Sequence, residues 1–330
     1  GRASSFTDQA TGETIDNCQH VAMGCCTNFF AFCRQVGIDG FFRREQQLYF
    51  FDPEGRCSRF HAVGLPAPLH LAPALMRLSY LTLREKMQLA FGLRALARSS
   101  AKEGESENFA HWLARHGQSP RLCERFWHVV LVSALSETLD RIHVAAARKV
   151  FVDGFLRNHH GWEVWIPTAS LDELYGGRLA GWMQEQGIDA RLQAGVKNVL
   201  IIDGHVAGVE LRSGERIDAD AIILAVPPDR VSGLLPESIR DDSFWQTPAK
   251  LESAPISSVH LWFDRPITDL PHATFVGRLS HWLFNRSSIR DAETAETSAY
   301  YQVVISASRG LEGRTQDDII GEVMEDLAVA

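Results

Sequence analysis

No run in this 330-residue sequence approaches the roughly 18 apolar residues that would span a bilayer. No two cysteines have C-x-x-C spacing; the six stand at 18, 25, 26, 33, 57 and 123, and no histidine cluster lies at zinc-finger distance. Adjacent Cys25 and Cys26 are poorly placed for a disulfide, so buried free thiols in a reducing compartment are expected. His159-His160 reads as a solvated turn before Gly161 rather than a metal pair. Cations do not predominate: 33 Lys plus Arg against 41 Asp plus Glu give a charge of −8. That argues against a nucleic-acid surface, which needs clustered Lys and Arg. There is no P-loop, no G-x-S-x-G, no H-E-x-x-H and no G-x-G-x-x-G.

The missing dinucleotide fingerprint argues, taken alone, against a dinucleotide enzyme. A βαβ phosphate-binding unit needs roughly 30 residues, however, and can precede this chain. The sequence starts at Gly1-Arg2 without Met and stops at Ala330 inside an expected helix. There Thr315 is the N-cap and Ile319, Ile320, Val323, Met324 and Leu327 are helically spaced. The chain therefore reads as an internal fragment. With 45% apolar and 22% charged residues it is an ordinary globular sequence, long enough for two domains or one α/β unit with an insertion.

The apolar pattern predicts short strand and loop over 1–16, then a helix from His20 to Val36 closed by Gly37. Leu48 to Phe51 and Cys57 to His61 flank Asp52-Pro53-Glu54-Gly55 as a hairpin. Pro66 and Pro68 mark a linker. A helical block covers 74–156, with helices at 82–98, 106–116, 120–133 and about 136–149. A capping box at Ser170-Leu171-Asp172-Glu173 opens a helix ending at Gly187. Ala194 to Ile202 and Val206 to Leu211 form strands about the Asp203-Gly204 turn. Ala221 to Val226 is a continuous apolar run of the kind that fills a buried parallel strand. Further strands are expected at Ser258 to Phe263, His281 to Asn285 and Tyr300 to Ala307. No internal repeat is evident.

Gly1-Arg2-Ala3 followed by Ile15-Asp16-Asn17-Cys18-Gln19-His20 resembles the flavin-containing amine oxidase and phytoene desaturase superfamily. Val196 to Pro227 resembles its second FAD-contacting block. Asp16 to Gly24, Leu65 to His70, Trp112 to Ser119, Glu124 to Trp127 and Val259 to Pro266 are similar to one member family, the hydroxysqualene dehydroxylases. These are also called squalene-associated FAD-dependent desaturases, and the similarity covers nearly all of the chain. It implies a truncated two-domain α/β flavoprotein with a Rossmann-like FAD-binding fold and an α+β insertion. Residues 1–25 and 185–235 would belong to the FAD-binding domain, and 26–184 and 236–330 to the substrate domain.

The resemblance implies FAD as cofactor, contacted by Gly1, Arg2, Ala3, Gln19, His20, Val196, Ala225, Val226 and Pro227. Arg2 would meet the pyrophosphate as a charge-assisted donor, Val196 the adenine, and 225–227 the strand end beside the cofactor. His20 is a candidate proton donor, with a hydrogen bond to the flavin edge as the alternative role. Cys18 stands where the family pattern has glycine. The family's phosphate loop and its later Gly-Asp segment lie outside this sequence, so the fragment is expected to hold FAD less well than the whole protein.

The implied reaction is reductive removal of the allylic hydroxyl of hydroxysqualene, giving squalene on the route to hopanoids. It needs a reduced flavin, a proton donor to help water leave, and a dry apolar tunnel. Trp127, Phe155, Trp262, Phe263, Trp282 and Phe284 are the candidate tunnel residues. No metal and no nucleic acid are implied. A lipophilic polyisoprenoid substrate implies a cytoplasmic protein that docks on the inner membrane face. Pro66 to Leu83, with Leu69, Leu71, Leu75, Met76, Leu78 and Tyr80, is the candidate contact. Rival readings are an oxidative carotenoid-type desaturase, an amine oxidase, and a non-catalytic escort of prenylated molecules on the same fold.

Overall fold

A computed structural model describes residues 2–99, 107–289 and 299–330; Gly1, one of the expected cofactor contacts, lies outside them. The chain divides into two compact units, Gly1–Trp182 with Ala254–Ala330, and Met183–Ser253. Fourteen strands follow one another along the described residues. They are β1 (Ser5–Thr7), β2 (Thr14–Asp16), β3 (Ala22–Met23), β4 (Phe42–Glu45), β5 (Leu48–Phe51), β6 (Cys57–Phe60) and β7 (Val164–Pro167). Then come β8 (Val196–Ile202), β9 (His205–Leu211), β10 (Arg216–Asp218), β11 (Ser257–Phe263), β12 (His272–Phe275), β13 (Trp282–Asn285) and β14 (Ala299–Ile305). The first four α-helices are α1 (Thr27–Val36), α2 (Ala72–Arg77), α3 (Leu83–Arg98) and α4 (Phe109–Arg115).

The larger unit is built on a six-stranded sheet ordered β11-β14-β13-β12-β5-β6, antiparallel except where β12 runs parallel to β5. Both faces are covered, so alternate side chains enter two different cores. Phe51, Phe275, Leu283, Val303, Tyr301 and Ile305 pack on one side with Val323 and Leu327 of the helix Gln316–Leu327. Phe50, Thr274, Trp282 and Val304, in register across four strands, point the other way towards the helical block. The helix at 316–327 has the expected cap: Thr315 Oγ1 accepts from the Asp318 amide at 3.2 Å.

In the helical block, α3 begins with a complete capping box. Thr82 Oγ1 accepts from the Glu85 amide at 3.3 Å, and Glu85 Oε2 accepts from the Thr82 amide at 2.8 Å. Its Gly92 faces Gln118 and Trp127. A Cβ there would lie 2.9 Å from Gln118 Cδ, Gln118 Oε1 and Trp127 Cζ2. Gln118 is held in place, accepting from Trp127 Nε1 at 3.0 Å and donating to Gln88 O at 2.8 Å. The run 120–135 is helical throughout and widens to a π segment at Cys123–His128.

Several expectations are corrected. The helix placed from His20 starts only at Thr27, because Ala22 and Met23 pair with Trp165 and Val164 of β7. The helix expected at about 136–149 starts at Val144 and runs to Leu156. In the smaller unit β8, β9 and β10 form an antiparallel meander, with Asp203 (φ 51°) and Gly204 (φ 77°) making the tight turn. Ala221 to Val226 forms no strand: among the described residues it has no ladder partner, and Ile223 is 92% exposed. An apolar run becomes a strand only where another strand takes its N–H and C=O groups. All six cysteines are free as expected, but only Cys33 is buried.

Two outcomes follow for stability. Replacing a mid-helix glycine with alanine ordinarily stabilises by about 1 kcal/mol. At Gly92→Ala the fixed indole and amide reverse the sign, and a loss of about 1–3 kcal/mol is expected by denaturant unfolding. The second concerns His281, whose ring burial, with His128 adding to it, pushes its pKa down to about 4. Its Nδ1 must stay unprotonated to accept from the Ser306 amide at 3.0 Å. The unfolded chain then binds the extra proton between about pH 6.5 and 4, so stability is lost as the pH is lowered through that window, by about 3 kcal/mol in all. Melting temperature against pH checks this; His281→Asn, which keeps an acceptor, flattens the curve.

Candidate active site

Asp16 closes β2 and starts the irregular segment leading to His20. Its Oδ1 accepts from Ser5 Oγ at 2.7 Å and from the Leu171 amide at 2.9 Å. Its Oδ2 lies 3.5 Å from Arg286 Nη2, with both side chains only 1% exposed, and Arg286 Nη1 donates to Pro167 O. A buried pair of this kind fixes its surroundings, since losing either member would strand a charge in the interior. The segment 16–20 is thereby tied to the sheet, to β7 and to the start of the helical segment 172–185.

Beyond Asp16, Gln19 Nε2 donates to His20 O at 2.9 Å, and the buried Gln19 Oε1 has no donor. His20 Nδ1 lies 2.9 Å from Cys18 O. A carbonyl only accepts, so Nδ1 carries the proton and a neutral His20 ring offers Nε2 as an acceptor. His20 can therefore donate from Nε2 only as an imidazolium. Cys18 does not have a positive φ, so the position demands no glycine conformation. Desolvation raises its thiol pKa to about 11.

The sheet adds a polar patch that sequence reasoning missed. Gln302 Nε2 donates to Asp16 O at 3.3 Å and to Ser258 Oγ at 2.9 Å, leaving its buried Oε1 without a partner. His260 Nδ1 lies 2.8 Å from Tyr300 OH, and burial lowers the His260 pKa. Trp262 stacks on Tyr300 with ring centroids 4.9 Å apart. Only strand alternation signals this group: Tyr300, Gln302 and Val304 share a face, as do Ser258, His260 and Trp262.

Within the larger unit, the sheet and the helices enclose an apolar cavity of about 690 Å³. Phe50, Thr274 and Trp282 form part of its wall on the sheet side. Leu71, Leu75, Leu78 and Tyr80 line it from the segment before α3, Leu93 and Arg94 from α3, and Phe126, Phe151 and Phe155 from the later helices. Of the six expected tunnel residues, Phe155 and Trp282 line this cavity. Trp127 is fully buried behind it, its indole N–H held by Gln118 and its ring against Phe109 and Phe151. Phe284 is buried beside Trp282, while Trp262 and Phe263 are on β11, at the edge of the sheet away from the cavity. Leu, Ala and Arg lining residues carry no sequence signal, because which helix face meets the sheet decides them.

The other expected cofactor contacts divide between the units. Arg2 is exposed and Ala3 lies in a bend before β1. In the smaller unit, Val196 opens β8 opposite Leu211, and Pro227 precedes the short helix Pro228–Val231. Ala225 and Val226 are exposed. No group of three or more His, Cys, Asp or Glu suited to a metal ion occurs among the described residues. No helix there is long and apolar enough to cross a membrane.

Residues 1–329 match the family of flavin containing amine oxidoreductases. The chain is 24% identical to 15-cis-phytoene desaturase of Synechococcus elongatus over 99% of its length and 72% of that protein. It is 25% identical to the chloroplastic/chromoplastic 15-cis-phytoene desaturase of Solanum lycopersicum, spanning 58% of that protein. Among solved structures, a putrescine oxidase variant superposes with a TM-score of 0.70 at 12% identity, covering 99% of this chain and 73% of that one. Cyclohexylamine oxidase from Brevibacterium oxydans gives 0.64 at 15% identity, covering 100% and 73%. The irregular segment 16–20, with the orphaned acceptor of Gln19, fits the polar edge of a flavin ring, and FAD is the cofactor of this α/β fold. The chain belongs to the flavin-containing amine oxidoreductase family.

Proposed function

We propose that the protein is an FAD-dependent oxidoreductase acting on a long acyclic polyisoprenoid, and that its reaction is reductive dehydroxylation of hydroxysqualene to squalene. The apolar cavity carries this reading. Apolar side chains make most of its wall, leucine and phenylalanine foremost, which suits a hydrocarbon chain, and no Asp or Glu lines it to pair with a small charged amine. Two of the runs resembling the hydroxysqualene dehydroxylases, 65–70 and 124–127, contribute Pro68, Leu69, Arg125 and Phe126 to that wall.

The reaction breaks an allylic C–O bond, forms a C–H bond and releases water. Bound FAD in its reduced form supplies the two electrons. The protein's own share is to hold the chain extended, keep bulk water from the reacting carbon, and meet the departing oxygen with a hydrogen bond. Thr274 suits the last task. It lines the cavity, and its buried hydroxyl has no partner in the free protein, so turning about χ1 brings a donor to the chamber without breaking an existing bond. A pure hydrocarbon has no use for such a group.

The similarity to phytoene desaturases, at 24% and 25% identity, favours a second reading: oxidative desaturation of a carotenoid precursor in the same cavity. Product analysis separates the two. Full-length protein loaded with FAD and reduced anaerobically is expected to convert hydroxysqualene to squalene, detected by mass spectrometry. Failure to form squalene, with desaturated product from oxidised protein and phytoene, would replace the first reading by the second. Thr274→Val is expected to lower kcat/KM for hydroxysqualene by about tenfold, as loss of one buried hydrogen bond does. Equal kcat/KM in the two proteins would remove Thr274 from the site.

A further inference from the structure

The outward face of α3 has the wrong character for water. Its inward face buries Glu85, Leu89, Gly92, Leu93 and Leu96. The opposite face carries Leu83, Met87 and Phe91 at successive i, i+4 positions, exposed by 66%, 55% and 66%. Arg94 and Arg98 continue the same stripe, and neither forms an ion pair among the described residues. Leu69 and Met76, from the segment before α3, are also more than half exposed, at 56% and 53%. Leu69, Arg94 and Arg98 also line the apolar cavity, so its rim lies on this surface.

Charge follows the same stretch. Residues 64–99 hold five cations, Arg77, Arg84, Lys86, Arg94 and Arg98, in a chain of net charge −8. Their one carboxylate, Glu85, is buried and engaged by the Thr82 cap and by Arg121 Nη1 at 2.5 Å. A third guanidinium at the cavity, Arg125, is 17% exposed and only 3.8 Å from Glu54 Oε1 at its nearest. A stripe of exposed leucine, methionine and phenylalanine edged by unpaired arginines matches an anionic bilayer leaflet, which accepts the apolar side chains and pairs with the cations.

We infer that the outward face of α3, with Leu69 and Met76, seats the protein on an anionic membrane surface, Leu83, Met87 and Phe91 entering the acyl boundary and Arg94 and Arg98 contacting headgroup phosphates. The cavity rim then opens into the leaflet, and a water-insoluble ligand passes between lipid and protein without crossing water. This goes beyond the redox assignment, because binding to a bilayer needs neither flavin nor turnover; its failure would leave that assignment standing.

Flotation of the full-length protein with phosphatidylcholine vesicles, with and without phosphatidylglycerol, tests it. Binding is expected to the anionic vesicles and to weaken in high salt. Arg94→Gln with Arg98→Gln is expected to reduce it by about fivefold per cation removed, and Leu83→Ser/Met87→Ser/Phe91→Ser by about tenfold or more. Melting curves for each variant separate loss of binding from loss of folding. Equal affinity for neutral and anionic vesicles, or folded variants that bind like the parent, would overturn the inference. So would a concentration-dependent dimer dissolved by the triple variant, which would assign the face to a second copy of the chain.

Discussion

The cavity depends on how closely α3 approaches the helical run 120–135, and that approach is set by one glycine above one hydrogen bond. Gly92 leaves room for the Gln118 amide and the edge of Trp127, and the bond between them fills the space with atoms that cannot move independently. With α3 seated at this depth, its inward face carries Leu93 to the cavity while its outward face is turned to the surface. The glycine weakens the helix locally, and the amide–indole contact it permits fixes the chamber behind it.

The six-stranded sheet plays the complementary part. A period of two lets it hold two cores at once: Phe275, Leu283 and Val303 serve the helix at 316–327, while Thr274, Trp282 and Val304 serve the cavity side. Along β14 the latter face turns from Val304 to Gln302 and Tyr300, so apolar wall gives way to hydrogen-bonding groups within one strand. Gln302 reaches Asp16, whose buried pairing with Arg286 anchors the segment that resembles a flavin contact. One sheet face thus joins the apolar cavity to the segment expected to meet the flavin, the juxtaposition that flavin chemistry on an apolar chain would require.

Much of this was legible from residue order because local chemistry decides it. The Thr315 N-cap, the Asp203-Gly204 turn and the Asp52-to-Gly55 hairpin are each specified by neighbouring side chains. The late start of α1 was not, because Ala22 and Met23 are held extended by β7, well over a hundred residues away. Ala221 to Val226 has the composition of a buried strand, but hydrogen-bonding partners make a strand, and it has no ladder partner among the described residues. The cavity was half legible for the same reason. Aromatic richness pointed to Phe155 and Trp282, yet it marked Trp127 equally, and only the position of Gln118 sends that ring into the core.

The central claim is that the chamber between sheet and helical block holds an isoprenoid chain. Photolabelling with a diazirine-bearing polyprenyl alcohol, followed by peptide mapping, tests this most directly. The account predicts labelled peptides from 69–98 and 125–156, suppressed by excess unlabelled alcohol. Labelling concentrated on the helix at 316–327, or spread evenly and indifferent to competitor, would contradict it.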